Sequence, residues 1–291
     1  MGYVKRQVEA AAKSRANSSR KDMETVLDRH RWNVVRFKEK KALSNDTNQY
    51  TFTLPPTSST MGLGTCQHLQ LGFHFKDRLV VRPYTPTRPI SRKEEDGTFD
   101  LVVKTYLPGT CQPGGTMSNI LDCLRTGEEI EVKGPIGEIK YMGQGEFMID
   151  EKEYHFDKVC LVLGGSGITP GYQLISRILR AKDQGESEDK TTLKVIDANK
   201  TEDDILLKGE LDELAKKYAD QFEITYVLSH PGTGWKGEKG HVSKVILEKY
   251  AFEPENGAVA LLCGPPTMIQ KAVLPALKEM GYKEDANLFG F

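Results

Sequence analysis

The 291-residue sequence has few cysteines, no net charge of consequence and no long apolar run, and each shortage removes a class of protein. Its five cysteines, Cys66, Cys111, Cys123, Cys160 and Cys263, are odd in number and form neither C-x-x-C pairs nor a regular spacing. That argues against a disulfide framework or a zinc site and fits a reducing compartment. Lys and Arg nearly balance Asp and Glu, leaving a formal charge of -1 and no basic stripe of the kind nucleic acid requires. No apolar run approaches the roughly 20 residues that span a bilayer, and the N-terminus lacks the apolar core of a secretory signal. Met1-Gly2 opens like a myristoylation signal, but Arg6 stands where Ser or Thr is required. The cytoplasm is the expected location. What is present, 38% apolar and 28% charged residues, is the composition of a globular protein long enough for two cores.

The residues change character along the chain. Residues 1–30 are polar and rich in Lys, Arg and Ser, with only scattered apolar positions (Val4, Val8, Val26, Leu27), and read as a hinge or linker rather than core. From Trp32 to Met142 the apolar period is two: Leu69, Leu71, Phe73 and Phe75 alternate with polar or small residues, as do Tyr50, Phe52 and Leu54. A strand over Phe99 to Leu107 places Val102, Lys104 and Tyr106 on one face and Leu101, Val103 and Thr105 on the other. Short strands punctuated by Gly and Pro predict a closed barrel over residues 31–143. After an acidic stretch (Asp150, Glu151, Glu153, Asp157), read as a solvated interdomain linker at 144–155, strands and helices alternate. Strands are predicted at Val159 to Leu163, Leu193 to Ile196, Glu223 to Leu228 and Ala258 to Leu262. Helical spacing recurs at Leu174, Ile175, Ile178 and Leu179, from Ile205 to Tyr218, and from Thr267 to Met280. This predicts an α/β domain with a parallel sheet at 156–291.

Four groups of residues carry chemistry. Gly164-Gly165-Ser166-Gly167-Ile168-Thr169-Pro170 follows a buried strand; its glycines admit backbone N–H groups to a phosphate, Thr169 can cap the next helix and Pro170 suits its first position. Tight strand-to-helix turns also demand glycine, so a structural role stays open. Cys263-Gly264-Pro265-Pro266 again ends a strand, and both loops can face one crevice at the carboxyl edge of the sheet; the alternative is a buried cysteine beside a rigid turn. In Arg82-Pro83-Tyr84-Thr85-Pro86, an arginine can grip a diphosphate and a tyrosine can flank an aromatic ring, although a plain β-edge with turn prolines is equally compatible. Gly114-Gly115-Thr116-Met117-Ser118 opens a predicted helix Asn119 to Arg125, whose N-terminal donors suit a second phosphate, or it is simply a loop. His230-Pro231-Gly232-Thr233 is similar to the haem-ligand segment of cytochrome b5 but lacks its second glycine, and reads as a loop.

Taken in order, these segments resemble the ferredoxin-reductase-like flavoenzymes, in the branch of cytochrome b5 reductase and eukaryotic nitrate reductase. The resemblance runs from Trp32 to Phe291. It rests on the segments above together with Leu101-Val102-Val103-Lys104, Gly134-Pro135-Ile136-Gly137, Ala198-Asn199-Lys200-Thr201-Glu202-Asp203-Asp204-Ile205-Leu206, Cys263-Gly264-Pro265-Pro266-Thr267-Met268-Ile269-Gln270 and the terminal Phe291. It implies an antiparallel Greek-key FAD-binding barrel followed by a Rossmann-like NADH domain. It implies FAD contacts or surroundings at Arg82, Pro83, Tyr84, Thr85, Val102, Val103, Lys104, Tyr106, Gly115, Thr116, Met117, Ser118 and Thr169. NADH is then surrounded by Gly164, Gly165, Ser166, Gly167, Thr169, Pro170, Asn199, Thr201, Cys263, Gly264, Pro265, Met268 and Phe291. By the same resemblance Lys104 lies between the cofactors, Thr85 and Lys104 join Cys263 at the reacting centre, and Cys263 positions the nicotinamide without acting as a nucleophile.

Cys66, where many relatives have glycine, receives no role. Ser229-His230 stands where NADH-specific relatives often carry an acid, so NADPH is not strongly excluded; Asp197 can restore a preference for NADH by binding a ribose hydroxyl. The implied chemistry is hydride transfer from NADH to N5 of FAD, then single electrons to a cytochrome-b5-type haem. The polar N-terminal stretch favours the reductase module of an assimilatory nitrate reductase, with haem and molybdenum cofactor on other domains. A free-standing soluble cytochrome b5 reductase is the runner-up, and a non-catalytic flavin-binding regulatory module is the reading from a different class.

Overall fold

A computed structural model describes residues 25–56, 60–75, 77–108, 114–181, 183, 185, 188–255 and 257–291. Residues 1–24, most of the predicted hinge, and Cys111 lie outside the described residues.

The first half forms an antiparallel sheet of β1 (Asn33–Ala42), β2 (Thr47–Thr53), β3 (His68–Phe75), β4 (Arg78–Tyr84), β5 (Thr98–Lys104) and β6 (Glu129–Ile136), in the spatial order β4-β3-β6-β1-β2-β5. β6 returns from far along the chain to lie between β1 and β3, the non-local pairing that a Greek key requires. Beyond Tyr84 the chain turns onto β5: Thr87 N–H donates to Asp100 O and Asp100 N–H to Arg88 O, both at 2.9 Å. These bonds join the two edges, which would otherwise present unpaired backbone groups. The predicted alternation fills the interior with Tyr50, Phe52, Leu69, Leu71, Phe99 and Leu101, all buried. Phe52 and Phe99 are direct cross-strand partners and stack at 5.2 Å.

Three boundaries differ from the sequence expectation. Val26 and Leu27 are not part of a tether: both are buried in the barrel core, and their N–H groups donate to Thr60 O and Met61 O at 3.1 Å. Two adjacent apolar residues have no periodicity to reveal such packing. β5 stops at Lys104, because the following residues leave the sheet to meet helix α1 (Thr116–Cys123), which starts three residues before the predicted Asn119. The stretch 144–155 is not a linker. β7 (Ile139–Gly143), β8 (Glu146–Ile149) and β9 (Lys152–His155) form a separate antiparallel sheet whose Phe147 and Ile149 are buried. The Tyr141 hydroxyl donates to Asp189, and Gln144 N–H reaches the same carboxylate at 2.8 Å, so the sheet is fastened to the second half. Its acidic residues sit at the turn and on the outer face, where solvent hides the pattern of the inner one.

The second half is a parallel sheet of β10 (Lys158–Gly164), β11 (Thr192–Asn199), β12 (Phe222–Leu228), β13 (Glu238–Lys239), β14 (Ala258–Cys263) and β15 (Leu288–Gly290), in the order β13-β12-β11-β10-β14-β15. Helices α2 (Ile168–Leu179) and α3 (Lys208–Lys217) pack on one face, with Leu174, Ile175 and Leu211 in its core. Helices α4 (Lys244–Tyr250) and α6 (Leu274–Met280) cover the other through Leu247 and Leu277; α6 follows the short α5 (Pro266–Met268) and a π turn. Covering on both faces is why Val159 to Leu163 is a continuous apolar run. The helical stretch predicted from Ile205 begins only at Lys208, since Leu207 takes a left-handed conformation with φ 57°. The order reverses between β10 and β14, so their carboxyl ends define the crevice of the sheet.

The β8–β9 hairpin turns through Asp150 and Glu151, both at positive φ (48° and 62°), as a type I′ turn requires but side chains resist. Glu151→Gly is expected to stabilise the protein by roughly 0.5–1 kcal/mol and raise the melting midpoint by about 2 °C; a midpoint that falls in a thermal scan would contradict this account of the turn.

Candidate functional site

A cleft of about 670 Å³ lies where the barrel meets the crevice of the parallel sheet. Arg82, Pro83, Tyr84 and Thr85 at the end of β4, Val102, Val103 and Lys104 of β5, and Tyr106, Gly115, Thr116, Met117 and Ser118 around the start of α1 line the barrel side. Gly164, Gly165, Ser166, Gly167, Thr169, Pro170, Cys263, Gly264, Pro265 and Phe291 line the other. Residues far apart in sequence thus converge, and the N-termini of α1 and α2 open on the same space, bringing unpaired N–H donors and positive helix ends together.

The local packing explains why the glycines stand where they do. A Cβ at Gly167 would lie 2.5 Å from Cys263 O, and one at Gly164 or Gly264 would meet Met268 Cε at 2.9 or 2.8 Å. These three let two strand-end loops interlock, so close packing is part of their role. Gly165 differs: it has φ +54° and open space where a Cβ would be, facing the cleft. Gly114, at φ +78°, has no room for a side chain against Pro108 N and Tyr106 O. Gly115 N–H donates to Tyr106 O at 2.8 Å, and Ser118 Oγ accepts from Tyr106 N–H at 3.2 Å, which fixes the α1 loop against the segment after β5.

Several predicted residues sit differently from expectation. Thr169 does not cap α2: Gly167 occupies the cap, and Thr169, in the first turn, donates its hydroxyl to Ser166 O at 3.2 Å. Pro170 lies in that same turn, where no helical N–H is needed. Asn199, Thr201 and Met268 lie outside the cleft lining. Asn199 is bonded to Asp197, Thr201 holds Asp204, and Met268 backs Gly164 and Gly264. Asp197 is fully buried, so it does not reach a ribose hydroxyl; alternation along β11 turns it into the core. Cys66 and His68 line the cleft although the sequence assigned them nothing, and Gly114, the first residue of the fourth motif, lines it too.

The electrostatics are mostly neutral. Burial pushes the Cys263 thiol up to about 11 and the Tyr84 phenol well above its ordinary range, so both keep their protons at neutral pH. Burial holds the His68 imidazole below its usual range. Lys104 Nζ lies 2.6 Å from Asp204 Oδ1 and 2.7 Å from Asp46 Oδ2, so its charge is compensated across the seam. Burial disfavours the Asp204 carboxylate, but hydrogen bonds from Lys104 and Thr201 outweigh it and hold the group at about 2. Gln173, buried on α2, adds two more ties: its Oε1 accepts Cys66 N–H at 2.6 Å and its amide donates to Pro86 O at 3.4 Å. No sequence signal marked Gln173, whereas Asp204 lay inside a quoted segment.

Residues 34–141 match the model described as an oxidoreductase FAD-binding domain, and residues 161–273 the one described as an oxidoreductase NAD-binding domain. The crystal structure of the cytochrome b5 reductase domain of Ulva prolifera nitrate reductase superposes with a TM-score of 0.85 at 34% identity, over 92% of this chain and all of that one. The chain belongs to the cytochrome b5 reductase domain family of nitrate reductases. Nitrate reductase [NADH] 1 of Nicotiana tabacum is 41% identical over 257 residues, and that of Zea mays 40% over 256. The chain spans 28% and 40% of the length of these two proteins. At 22% identity and a TM-score of 0.72, the CS-b5R domains of human Ncb5or share the fold.

The protein is therefore an oxidoreductase with an FAD-binding barrel and an NAD-binding α/β domain. The cleft residues fit a flavin dinucleotide: among the described residues lining the cleft there is no Asp or Glu side chain to repel a diphosphate, and the Gly115 cradle would be filled by any Cβ, 2.6 Å from Ser118 Oγ.

Because the Asp204 carboxyl is depressed in the folded state, its contribution is full above its ordinary value of 3.8 and is lost as pH falls through about 2. Asp204→Asn is expected to destabilise the protein at neutral pH by about 1 kcal/mol, allowing for solvent screening. Urea unfolding should show that difference vanishing near pH 2; an equal loss at both pH values would remove the ion pair from this role.

Proposed function

We propose that this chain is the reductase module of an assimilatory nitrate reductase, oxidising NADH through FAD and passing electrons to a cytochrome-b5-type haem domain. Molybdenum cofactor and haem belong to other domains of that enzyme. The observation that carries the reading is the single cleft walled by the FAD-binding barrel on one side and the NAD-binding crevice on the other. Relatives named as NADH nitrate reductases support the choice of donor and final enzyme. The reading includes a cytoplasmic location, which the free thiols of Cys66, Cys123, Cys160 and Cys263 fit.

Bound FAD would supply the redox chemistry, taking an electron pair as hydride and releasing electrons singly to a haem. The chain's residues do the positioning. Arg82, at the exposed rim, offers the FAD diphosphate a guanidinium, joined by the backbone donors of Gly115, Thr116, Met117 and Ser118. Tyr84, Thr85, Val102, Val103 and Tyr106 would border the flavin, the protonated Tyr84 serving as a hydrogen-bond donor. Gly165, Ser166 and Thr169 would receive NADH phosphates. Cys263, Gly264, Pro265 and Phe291 would shape the nicotinamide side, and Phe291 is fixed there by its N–H to Leu262 O at 3.0 Å. Lys104 reaches between the two walls but is already paired, so it would hold a dinucleotide only by exchanging a carboxylate. Asn199, Thr201 and Met268 would act from behind the lining. The loop after β12 offers Ser229 and His230 and no carboxylate, so preference for NADH over NADPH is expected to be modest.

Mixing the FAD-loaded protein with NADH under anaerobic conditions is expected to bleach the flavin absorbance; an unchanged spectrum would reject the reading. Cys263→Ser should slow that single-turnover reduction by roughly tenfold while FAD content holds, because a thiol that only positions the nicotinamide affects alignment rather than binding. Unaltered reduction kinetics would take Cys263 out of the centre.

A further inference from the structure

Asp197 is enclosed near the carboxyl end of β11, on the same face as Leu193 and Val195. Its Oδ2 accepts a hydrogen bond from Asn199 Nδ2 at 2.9 Å. Its other oxygen, Oδ1, meets no donor, and neither does Asn199 Oδ1, two residues along the same face. Around this pair β10 presents Leu163, and β12 presents Tyr226, whose hydroxyl is turned away to Asp212 Oδ1 at 2.8 Å. Helix α3 supplies Asp212 together with its partner Lys208 at 2.8 Å, and α2 brings Tyr172 to the same core. None of these compensates a negative charge at Asp197.

An ionised Asp197 would therefore leave a buried charge and two buried acceptors without donors, an arrangement folded proteins avoid. One proton resolves both. Placed on Asp197 Oδ1, it can donate to Asn199 Oδ1 and complete a planar acid–amide pair whose other arm is the 2.9 Å bond already present. We infer that Asp197 stands as a neutral carboxylic acid, and that its pairing with Asn199 is the positioning device that sets the Asn199 amide for the diphosphate-bearing nicotinamide nucleotide. The identity of that ligand rests on the proposed function; the pairing does not.

The placement links the pair to the site. Ala198 is in register with Gly164, the first residue of the glycine loop, and Asn199 O accepts the N–H of Ser229 at 3.0 Å. With Asp197 protonated, the Asn199 amide is fixed in place behind the lining, and no negative charge backs the nucleotide phosphates. With Asp197 ionised, the amide loses one arm of the pair and a carboxylate repels those phosphates. Burial raises this acid to about 7, so the change falls in the physiological range. Because the folded value lies above the ordinary 3.8, the native state holds a proton that the unfolded chain releases, and this stabilisation declines as pH rises from about 4 through about 7.

Infrared difference spectra of the FAD-loaded protein, taken between about pH 5.5 and 8.5, are expected to show a carboxylic-acid carbonyl band that disappears through about pH 7. Asp197→Asn should remove that band. The NADH concentration that half-saturates flavin reduction should rise about tenfold per pH unit above the transition in the wild type, and stay flat in Asp197→Asn at equal FAD content. Absence of a titrating carbonyl band in the wild type overturns the proposal even if the variant does not fold, and so does a pH profile that Asp197→Asn leaves unchanged. Should NADH fail to reduce the flavin at any pH, the proposed function fails, and the infrared titration alone decides the state of Asp197.

Discussion

The site depends on how closely two backbone segments approach at the carboxyl ends of β10 and β14. Gly167 sits where a Cβ would come within 2.5 Å of Cys263 O, and Gly264 where one would come within 3.1 Å of Gly164 N. This contact brings the glycine loop and the cysteine loop to one floor, rather than leaving them as separate turns on a sheet edge. It also dictates the neighbours: Met268 fills the space behind both loops, and Phe291 N–H closes on Leu262 O. Parallel strands supply the scaffold, but any side chain at Gly167 would force the two loops apart and with them everything facing the barrel.

The barrel, in turn, must be held at a fixed distance from that floor, since alignment of two bound rings tolerates little displacement. The seam does this with few groups. Gln173 touches two barrel segments from one helix, and Lys104 joins Asp46 of its own domain to Asp204 of the other. Arg180 pairs with Glu94 at 3.0 Å farther out. Buried hydrogen bonds to backbone suit the inner position because they do not depend on salt, whereas the outer ion pairs are partly exposed and screened. The Thr201–Asp204 capping box ties the ion pair to the strand end that carries Asn199. The nucleotide wall and the seam thus share one short segment, Asn199 to Asp204.

Much of this was legible in the sequence where one physical demand dominates a stretch. Alternation exposed the barrel strands because one face is dry, and the run Val159 to Leu163 exposed a strand buried on both sides. The predicted cofactor-contact residues line one cleft, apart from Asn199, Thr201 and Met268. What escaped has no local signature. Val26 and Leu27 are core only because Thr60 and Met61 come to them. The hairpin at 146–155 presents charge outward and hides two buried apolar residues within it. Gln173 is a polar residue on a helix until Cys66 and Pro86 arrive from a hundred residues away, and the burial of Asp197 follows from a strand register that no motif encodes.

The character of the cleft bears on what kind of chemistry it can host. Burial keeps Cys263 and Tyr84 protonated and lowers the basicity of His68, Lys104 is cancelled by two carboxylates, and no Asp or Glu side chain lines the space among the described residues. An enzyme that abstracts protons needs a base poised near neutrality against its substrate; among the described residues lining this cleft His68 is the one imidazole, and burial lowers its basicity. Transfer of hydride between two bound rings needs no base: it needs a close, dry and correctly oriented pair, with phosphates anchored away from the reacting atoms. Arg82 at the rim and the N-termini of α1 and α2 put positive potential at the anchoring points, and the uncharged middle leaves the redox balance to the cofactors. A buried acid behind one wall, neutral below about 7, extends the same rule into the second layer, where charge would disturb the nucleotide as surely as it would at the surface of the cleft.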